Sequence, residues 1–238
     1  MTTSRQLSLI IFAFNEGDNI RPVLAELMRW LSVHESEAEI IFVDDGSSDH
    51  TEEVAREVLA PWSKHRLISH ERNRGIGASL KSGVTVARGA WITFLPADGQ
   101  VPPSAVGELR REQAETGADV VFSVYDDRDD GVYRKIMSWG VRALIRAVHG
   151  VRLRSDGPYL FQRRHFEPSE LPPDTFFLNF EFPIRALRSG LRAGEVVVPC
   201  RSRLSGRSKS AGAKRVVGVA KELLELRMRA PQDDWTER

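Results

Sequence analysis

The chain has almost no cysteine and no long hydrophobic run. Cys200 is the single cysteine among 238 residues, which excludes an intramolecular disulfide framework and a cysteine-rich zinc site and fits a reducing compartment. No run of about 18 apolar residues occurs, so no helix is predicted to span a bilayer. The apolar run near the N-terminus is soon interrupted by Asn15 and Glu16, and we expect no signal peptide.

A large net charge of one sign is also missing. The formal net charge is +1, so bulk charge gives no reason to expect binding to nucleic acid. The basic residues are nevertheless unevenly placed. Residues 134–154 hold six basic and no acidic side chains, and residues 201–229 hold nine basic and two acidic ones. The second half of the chain is therefore predicted to be locally cationic.

Strand-like and helix-like segments alternate through the first 125 residues. Short β-branched apolar runs predict strands at residues 7–13, 39–43, 66–69, 90–95 and 119–124. Helices are predicted at residues 19–33, 51–59, 75–88 and 103–116, then at 133–149, 180–189 and 213–228, with one more strand at 195–198. This alternation is typical of an α/β fold whose central sheet is mostly parallel and flanked by helices.

Polar residues follow three of the predicted strands. Phe14, Asn15 and Glu16 follow the first strand, Asp44 and Asp45 the second, and Asp98, Gly99 and Gln100 the fourth. Ligands of open α/β sheets bind outside the carboxyl ends of the strands, so these clusters predict a site. The alternative interpretation is that Asp44 and Asp49 are ordinary turn and helix-cap residues.

A glycine-rich segment, "RNRGIGASLKSG", precedes the third predicted helix. The spacing of Gly75, Gly77 and Gly83 does not fit the dinucleotide-binding pattern G-x-G-x-x-G. We interpret Gly75 and Gly77 as a turn that lets the backbone pass close to a nucleotide. A plain helix start is the alternative.

Taken together, these motifs resemble family 2 glycosyltransferases with the GT-A fold, and among them the polyprenol-phosphate sugar synthases. The resemblance rests on "FAFNEGDNI", "FVDDGSSDHT", "RNRGIGASLKSGVTVARG" and "ADGQVPP", and then on "RKIMS", "SDGPYLFQRRHF", "FLNFEFPIRALRSGL" and "RLSGRSK". It covers roughly residues 7–210. It implies a single GT-A domain over residues 1–238, with a nucleotide-sugar-binding half at 1–125, an acceptor-binding half at 126–212, and a C-terminal amphipathic helix and tail at 213–238.

On the donor side, the resemblance implies specific nucleotide and metal ligands. The nucleotide-binding residues would be Phe14, Asn15, Glu16, Asp44, Asp45, Gly75 and Asp98. Asp98 and Gln100 match two positions of the family motif D-x-D-x-Q, which implies a site for Mg²⁺ or Mn²⁺. Pro96 stands where that motif has its first carboxylate. We therefore expect a weakened metal site that nucleotide diphosphate and water would complete. The alternative is little or no use of metal, with basic residues carrying the charge.

On the acceptor side, the resemblance implies that Arg134 and Ser138 contact the acceptor phosphate and that Asp156 lies near the reacting centre, with Glu181 in the following helix. A further family arginine corresponds to Val124, and Arg128 is a candidate to replace it. The resemblance also implies a phosphate-binding loop made of Arg203, Arg207, Ser208 and Lys209. Together with Asp98, the predicted catalytic set is Asp156, Arg134 and Ser138.

The predicted function is inverting transfer of a sugar from a GDP- or UDP-sugar to a polyprenyl phosphate. One alternative is a family 2 transferase with a saccharide or other hydroxyl acceptor, for which Asp156 is the candidate base. Another is a nucleotide-sugar-binding protein whose catalysis is impaired at Pro96. We expect a cytoplasmic protein on the inner face of the membrane, with the basic amphipathic helices contacting lipid. An integral-membrane partner subunit is compatible with this expectation, and nucleic acid is not an expected partner.

Overall fold

The computed structural model describes residues 6–126, 131–171, 174, 176–201 and 213–229. Its strands are β1 (Leu7–Ala13), β2 (Glu39–Asp44), β3 (His65–Ser69), β4 (Trp91–Pro96), β5 (Val120–Tyr125), β6 (Tyr159–Gln162) and β7 (Ala193–Val198). Its α-helices are α1 (Gly17–His34), α2 (Thr51–Leu59), α3 (Ile76–Val86), α4 (Ser104–Thr116), α5 (Gly131–His149), α6 (Leu178–Arg188) and α7 (Ala213–Arg229). Every element predicted in the first 125 residues is confirmed, although the sequence analysis missed β6.

The strands form one seven-stranded sheet in the order β3-β2-β1-β4-β6-β5-β7. Strand β1 pairs in parallel with β2 and β4, β2 with β3, and β5 with β7. Among the described strands, only β6 runs against its neighbours, β4 and β5. The predicted α/β class with a mostly parallel sheet is therefore confirmed, and the GT-A-like character of the fold follows from the structural likeness given below.

The register of the sheet brings the carboxyl ends of its first strands level with one another. Ala13 in β1 lies opposite Asp44 in β2, which lies opposite Ser69 in β3. On the other side of β1, Phe12 lies opposite Pro96 in β4. The polar clusters that follow β1, β2 and β4 thus lie along one edge of the sheet, as the sequence analysis expected.

Both faces of the sheet are covered by helices, as a buried parallel sheet requires. Alternate residues of β1 point to opposite faces, so Leu9 and Ile11 pack into one hydrophobic cluster and Ile10 into the other. Apolar residues of α1, α2 and α4 cover the first face. Those of α3, α5, α6 and α7 cover the second. Among the described helices, none has the length and mean hydropathy needed to cross a membrane.

Candidate active site

Hydrogen bonds join the segments that follow β1 and β2. The backbone N–H of Asn15 donates to Ser47 Oγ at 2.9 Å, and the N–H of Ser48 donates to Asn15 Oδ1 at 2.8 Å. The N–H of Glu16 donates to Thr51 Oγ1 at 2.9 Å. Asn15 has a φ of 53°, a left-handed conformation that asparagine tolerates better than most residues. Two of the predicted nucleotide-binding clusters are therefore held against each other.

Asp49 anchors the starts of two helices. Its carboxylate accepts the N–H of Gly17 at 3.1 Å, at the start of α1, and the N–H of Thr51 at 3.0 Å, at the start of α2. Partial burial opposes ionisation of Asp49, but the hydrogen bonds from Thr51 and Gly17 outweigh it and lower the pKa of this carboxyl. The turn interpretation is thus confirmed for Asp49, although the N-cap position of α2 is occupied by His50.

Asp44 is a buried carboxylate at the end of β2, with 3% of its surface exposed. Ser47 donates two hydrogen bonds to Asp44 Oδ1, one from its hydroxyl and one from its N–H at 3.3 Å. The other oxygen, Oδ2, accepts no hydrogen bond from the described residues. Burial raises the pKa of Asp44, although the Ser47 hydrogen bonds counteract it in part. Asp44 thus keeps one carboxylate oxygen to which no described residue donates.

Asp45 is engaged by the chain itself and is 4% exposed. Its carboxylate accepts the N–H of Arg74 at 2.9 Å, the N–H of Gly75 at 2.7 Å and a hydrogen bond from His70 Nδ1 at 2.7 Å. Gly75 has a φ of 91°, which favours glycine, and it directly precedes α3. Gly75 is therefore both a helix start and a turn fixed to Asp45.

A residue of the second half also binds the glycine-rich segment. The carboxylate of Asp174 accepts hydrogen bonds from Arg74 and Lys81, both at 3.1 Å, and its carbonyl accepts the N–H of Ala78 at 3.1 Å. Partial burial opposes ionisation, but the hydrogen bonds and charges of Lys81 and Arg74 outweigh it and lower the pKa of Asp174. Asp174 therefore links the two halves beside the predicted nucleotide site.

The turn after β4 brings Asp98 and Gln100 to the same edge. Asp98 is buried, and its Oδ1 accepts the N–H of Gln100 at 3.1 Å. Gly99 has a φ of 73°, and the carbonyl of Gln100 accepts the N–H of Arg201 at 2.8 Å. Among the described residues, no group of three His, Cys, Asp or Glu side chains could hold a metal ion. A metal enclosed entirely by described side chains of these types does not fit.

Asp156 reaches this edge because of the strand that the sequence analysis missed. Strand β6 runs antiparallel to its neighbours, so the residues before it lie beside the carboxyl ends of β4 and β5. The N–H of Asp156 donates to the carbonyl of Ser123 in β5 at 2.9 Å. Its carboxylate accepts a hydrogen bond from the Arg142 guanidinium of α5. Asp156 is therefore placed near the predicted site, but as half of an ion pair.

Glu181 lies in α6 and is fully buried. Its Oε1 accepts hydrogen bonds from Arg185 Nε at 3.0 Å and Nη2 at 2.7 Å, one helical turn away. Buried carboxylates require such a partner, because an unpaired buried charge is costly. The described contacts of Glu181 thus belong to the packing of α6.

Other predicted residues are placed only in part. Arg134 and Ser138 lie in α5, four residues apart and so on one face of that helix. Phe14 is half-buried after β1. Arg128 and the predicted loop residues, Arg203, Arg207, Ser208 and Lys209, lie outside the described residues, and their roles stay predictions.

Sequence reasoning missed Ser47, His70, Arg142 and Asp174. Ser47 lies in the turn after β2, where Asp side chains commonly accept hydrogen bonds from groups a few residues on, so Ser47 could have been found from the sequence. The partners of His70 and Arg142 are 25 and 14 residues away, and those of Asp174 are 93 and 100 residues away. No local pattern signals pairs at these separations.

Comparison with solved structures identifies the fold. The chain resembles glucosyl-3-phosphoglycerate synthase from Mycobacterium tuberculosis, solved with Mn²⁺, UDP-glucose and phosphoglyceric acid. The TM-score is 0.71 at 21% identity, covering 96% of this chain and 81% of the other. At this identity the likeness establishes a shared GT-A-like fold.

Curated relatives are similar over part of their length. A dodecaprenyl-phosphate galacturonate synthase of Rhizobium johnstonii is 32% identical over 160 residues, which is 65% of this chain and 46% of the relative. An undecaprenyl-phosphate 4-deoxy-4-formamido-L-arabinose transferase of Edwardsiella ictaluri is 31% identical over 156 residues, 65% of this chain and 48% of the relative. The chain thus spans about half the length of these relatives.

A family model describes most of the chain. The model of glycosyl transferase family 2 matches residues 8–182, which include β2 to β6, all but the first residue of β1, and each polar strand end discussed above. The chain therefore belongs to glycosyl transferase family 2.

Proposed function

We propose that this protein transfers a sugar from a GDP- or UDP-sugar to a polyprenyl phosphate, with inversion at the anomeric carbon. The observation that carries the proposal is the convergence of the polar segments after β1, β2 and β4 on one sheet edge, with Asp156 beside them. The curated relatives support the acceptor class, since both are named for a polyprenyl phosphate.

The donor nucleoside would lie against the ends of β1 and β2. Uracil and guanine both carry ring N–H donors, which need a carboxylate or carbonyl acceptor. Asp44 suits this role because its Oδ2 accepts no described hydrogen bond and its charge is destabilised by burial. Phe14, Asn15 and Glu16 would line the nucleoside, and Asp45 would fix the wall formed by Arg74 and Gly75.

A divalent cation fits this edge only together with the donor. Asp98 offers a carboxylate and Gln100 an amide oxygen, and Mg²⁺ or Mn²⁺ commonly completes such a site with substrate phosphates and water. When bound, the ion would neutralise charge on the departing diphosphate. Pro96 supplies no side-chain oxygen, so binding without nucleotide would be weak. The solved structure with the same fold, which holds Mn²⁺ with UDP-glucose, is consistent with this arrangement.

Titration of Mn²⁺ with and without UDP or GDP tests the metal proposal. We expect weak binding to the protein alone and clearly tighter binding with nucleotide. Pro96→Asp should strengthen binding to the protein alone, because it adds a carboxylate beside the turn. Tight Mn²⁺ binding to the unmodified protein without nucleotide would contradict the proposal.

The acceptor phosphate needs no general base. A phosphate monoester has a second pKa of about 6 and is largely dianionic at neutral pH. One of its oxygens would form a bond to the anomeric carbon while the bond from that carbon to the diphosphate breaks, and no proton is transferred. Arg134 and Ser138, with Arg203, Arg207, Ser208 and Lys209, would hold the phosphates.

The state of Asp156 favours a phosphate acceptor over a hydroxyl acceptor. A hydroxyl acceptor needs a base, and Asp156 is the candidate. The Arg142 guanidinium donates to this carboxylate and so occupies one of its oxygens. Arg142 is also a cation at the sheet edge that could bind phosphate, since guanidinium matches carboxylate and phosphate equally well.

A membrane location is supported by the outward faces of α5 and α7. The two helices pack together through His149 Nε2 and the carbonyl of Leu223, 3.0 Å apart, over the same hydrophobic cluster. Facing away from that cluster are large apolar and cationic side chains, namely Trp139 (72% exposed) and Arg146 on α5, and Lys221, Leu224, Arg227 and Met228 (74% exposed) on α7. This mixture suits an anionic membrane surface.

Cosedimentation with lipid vesicles tests the membrane location. We expect binding to vesicles that contain anionic phospholipid and less binding to neutral ones. A Trp139→Ser and Leu224→Ser double variant should bind several-fold more weakly. Val33→Ser is the matched control, because Val33 is 77% exposed but lies on α1, which covers the opposite face of the sheet.

One assay decides the function. The protein is incubated with radiolabelled UDP- and GDP-sugars, Mn²⁺ and polyprenyl phosphate, and we expect a lipid product that mild acid cleaves. Transfer only to saccharide or other hydroxyl acceptors would favour the alternative enzyme. Donor binding without any transfer would favour a nucleotide-sugar-binding protein.

A further inference from the structure

A buried histidine links Asp45 to helix α3. His70 directly follows β3, and its side chain is 6% exposed. Its Nδ1 lies 2.7 Å from Asp45 Oδ1, and its Nε2 lies 2.9 Å from Ser82 Oγ in α3. The three side chains form one continuous hydrogen-bonded series, in which Asp45 and Ser82 lie within the quoted family motifs and His70 lies outside them.

The acceptors in this series of hydrogen bonds decide which nitrogen of His70 carries the proton. The Asp45 carboxylate is an acceptor only, so the proton between the two groups belongs on His70 Nδ1. In the neutral imidazole Nε2 is then an acceptor, and the Ser82 hydroxyl donates to it. This arrangement orients both the imidazole ring and the carboxylate plane.

The backbone segment that Asp45 holds, just before α3, is packed tightly against the turn after β2. Asp45 accepts the N–H groups of Arg74 and Gly75. A Cβ added to Gly46, in the turn after β2, would lie 2.3 Å from the carbonyl carbon of Arg72, so that turn rests directly on the same segment. A shift of Asp45 would therefore displace both the 72–75 backbone and the turn that carries Asp44 and Ser47.

We propose that His70 is a positioning residue for the donor nucleotide. Through Asp45 it sets the relative position of the β2 turn and the segment before α3, and through Ser82 it ties that position to α3. This proposal rests on the proposed function, since it assigns the β1–β3 strand ends to the nucleoside. His70 itself does not contact the reacting atoms.

Three variants separate the two bonds of His70. His70→Ala removes both and should raise the Kd for UDP or GDP and the donor KM about tenfold, with a smaller change in kcat. His70→Asn keeps an N–H donor near the place of Nδ1 and should recover most of the affinity. Ser82→Ala removes only the Nε2 partner and should weaken binding about twofold.

His65→Ala is the matched control. His65 lies at the opposite end of β3 and is hydrogen-bonded to the Trp62 carbonyl through Nδ1 at 2.6 Å. We expect this variant to lower Tm but to leave the donor KM unchanged. A loss of Tm without any change in donor Kd or KM in His70→Ala would overturn the positioning role.

Two further outcomes keep this test distinct from the test of the proposed function. Nitrogen-15 NMR of the histidine rings should show His70 protonated at Nδ1 at neutral pH, and a neutral ring protonated only at Nε2 would overturn the proposal. If the unmodified protein binds neither UDP nor GDP by calorimetry, the proposed function falls and the positioning role falls with it. If it binds one of them but His70→Ala binds equally well, only the positioning role falls.

Discussion

Two parts of one sheet edge hold their carboxylates in different ways. At the ends of β1 to β3, Asp45 and Asp49 accept backbone N–H groups of neighbouring turns, and Asp44 accepts both donors of Ser47. Beside β5 and β6, Asp156 is held by an arginine from a helix. Backbone donors fix a carboxylate in place, whereas a guanidinium can exchange a carboxylate for a phosphate. The carboxylates at the ends of β1 to β3, where we propose that the donor binds, are thus fixed by the chain itself, whereas Asp156, on the proposed acceptor side, is held by a guanidinium, a group that also binds phosphate.

Asp98→Asn should have the largest effect of the substitutions at this edge. It removes the one acidic side chain in the turn after β4, where charge on the diphosphate would develop. We expect kcat/KM to fall by roughly two to three orders of magnitude. Glu53→Gln, at an exposed position in α2, is the control and should be as active as the unmodified protein. If Asp98→Asn were as active as the unmodified protein, Asp98 would have no role in the reaction.

Asp44→Asn should weaken donor binding while stabilising the protein. Asparagine keeps an acceptor for Ser47 but loses the second carboxylate oxygen, so the donor KM should rise about tenfold. The pKa of Asp44 is raised in the folded protein, so its ionised form opposes folding at neutral pH and its removal should raise Tm. That gain should vanish as the pH falls and Asp44 becomes protonated. Steady-state kinetics and thermal unfolding, measured on the same variant, check both expectations.

Asp156→Asn should have a smaller effect than Asp98→Asn or Asp44→Asn. If a phosphate is the nucleophile, Asp156 only positions Arg142, and activity should fall less than about tenfold. Loss of a general base costs about two to four orders of magnitude. A loss of that size, together with loss of the acidic limb of the pH–rate profile, would instead identify a hydroxyl acceptor.

Asp174→Asn should have the smallest effect and should depend on pH. The pKa of Asp174 is lower in the folded protein than in the unfolded chain. Its contribution is therefore present above the unfolded pKa and is lost as the pH falls through the folded pKa. Asp174 and Arg74 are each about half exposed, so the loss at neutral pH should be at most about 1 kcal/mol. Urea unfolding at pH 7 and pH 3 measures it, with Glu57→Gln on the exposed Arg21 pair as a control expected to change little.

Prediction from the sequence succeeded where the signal is local. The β-branched runs of β1, β2 and β4 and the helical spacing of α1 define elements within a few residues of chain, and all were found. Strand β6 was missed because its short run, Tyr159–Gln162, lies between turn and loop residues, outside the strand–helix alternation that identified the equally short run at residues 66–69. With β6 unknown, the approach of Asp156 to Ser123 could not be foreseen.

The sequence by itself determined that polar groups follow three buried strands, and parallel pairing then placed those groups on one edge. Only the tertiary structure decided which of them stay available. In the folded protein, the carboxylate of Asp45 accepts hydrogen bonds from His70, Arg74 and Gly75. Asp44 Oδ2 has no described donor, and Asp156 is paired with Arg142. These contacts join residues far apart in the chain, and their geometry depends on how helices pack on the sheet, which no local pattern encodes.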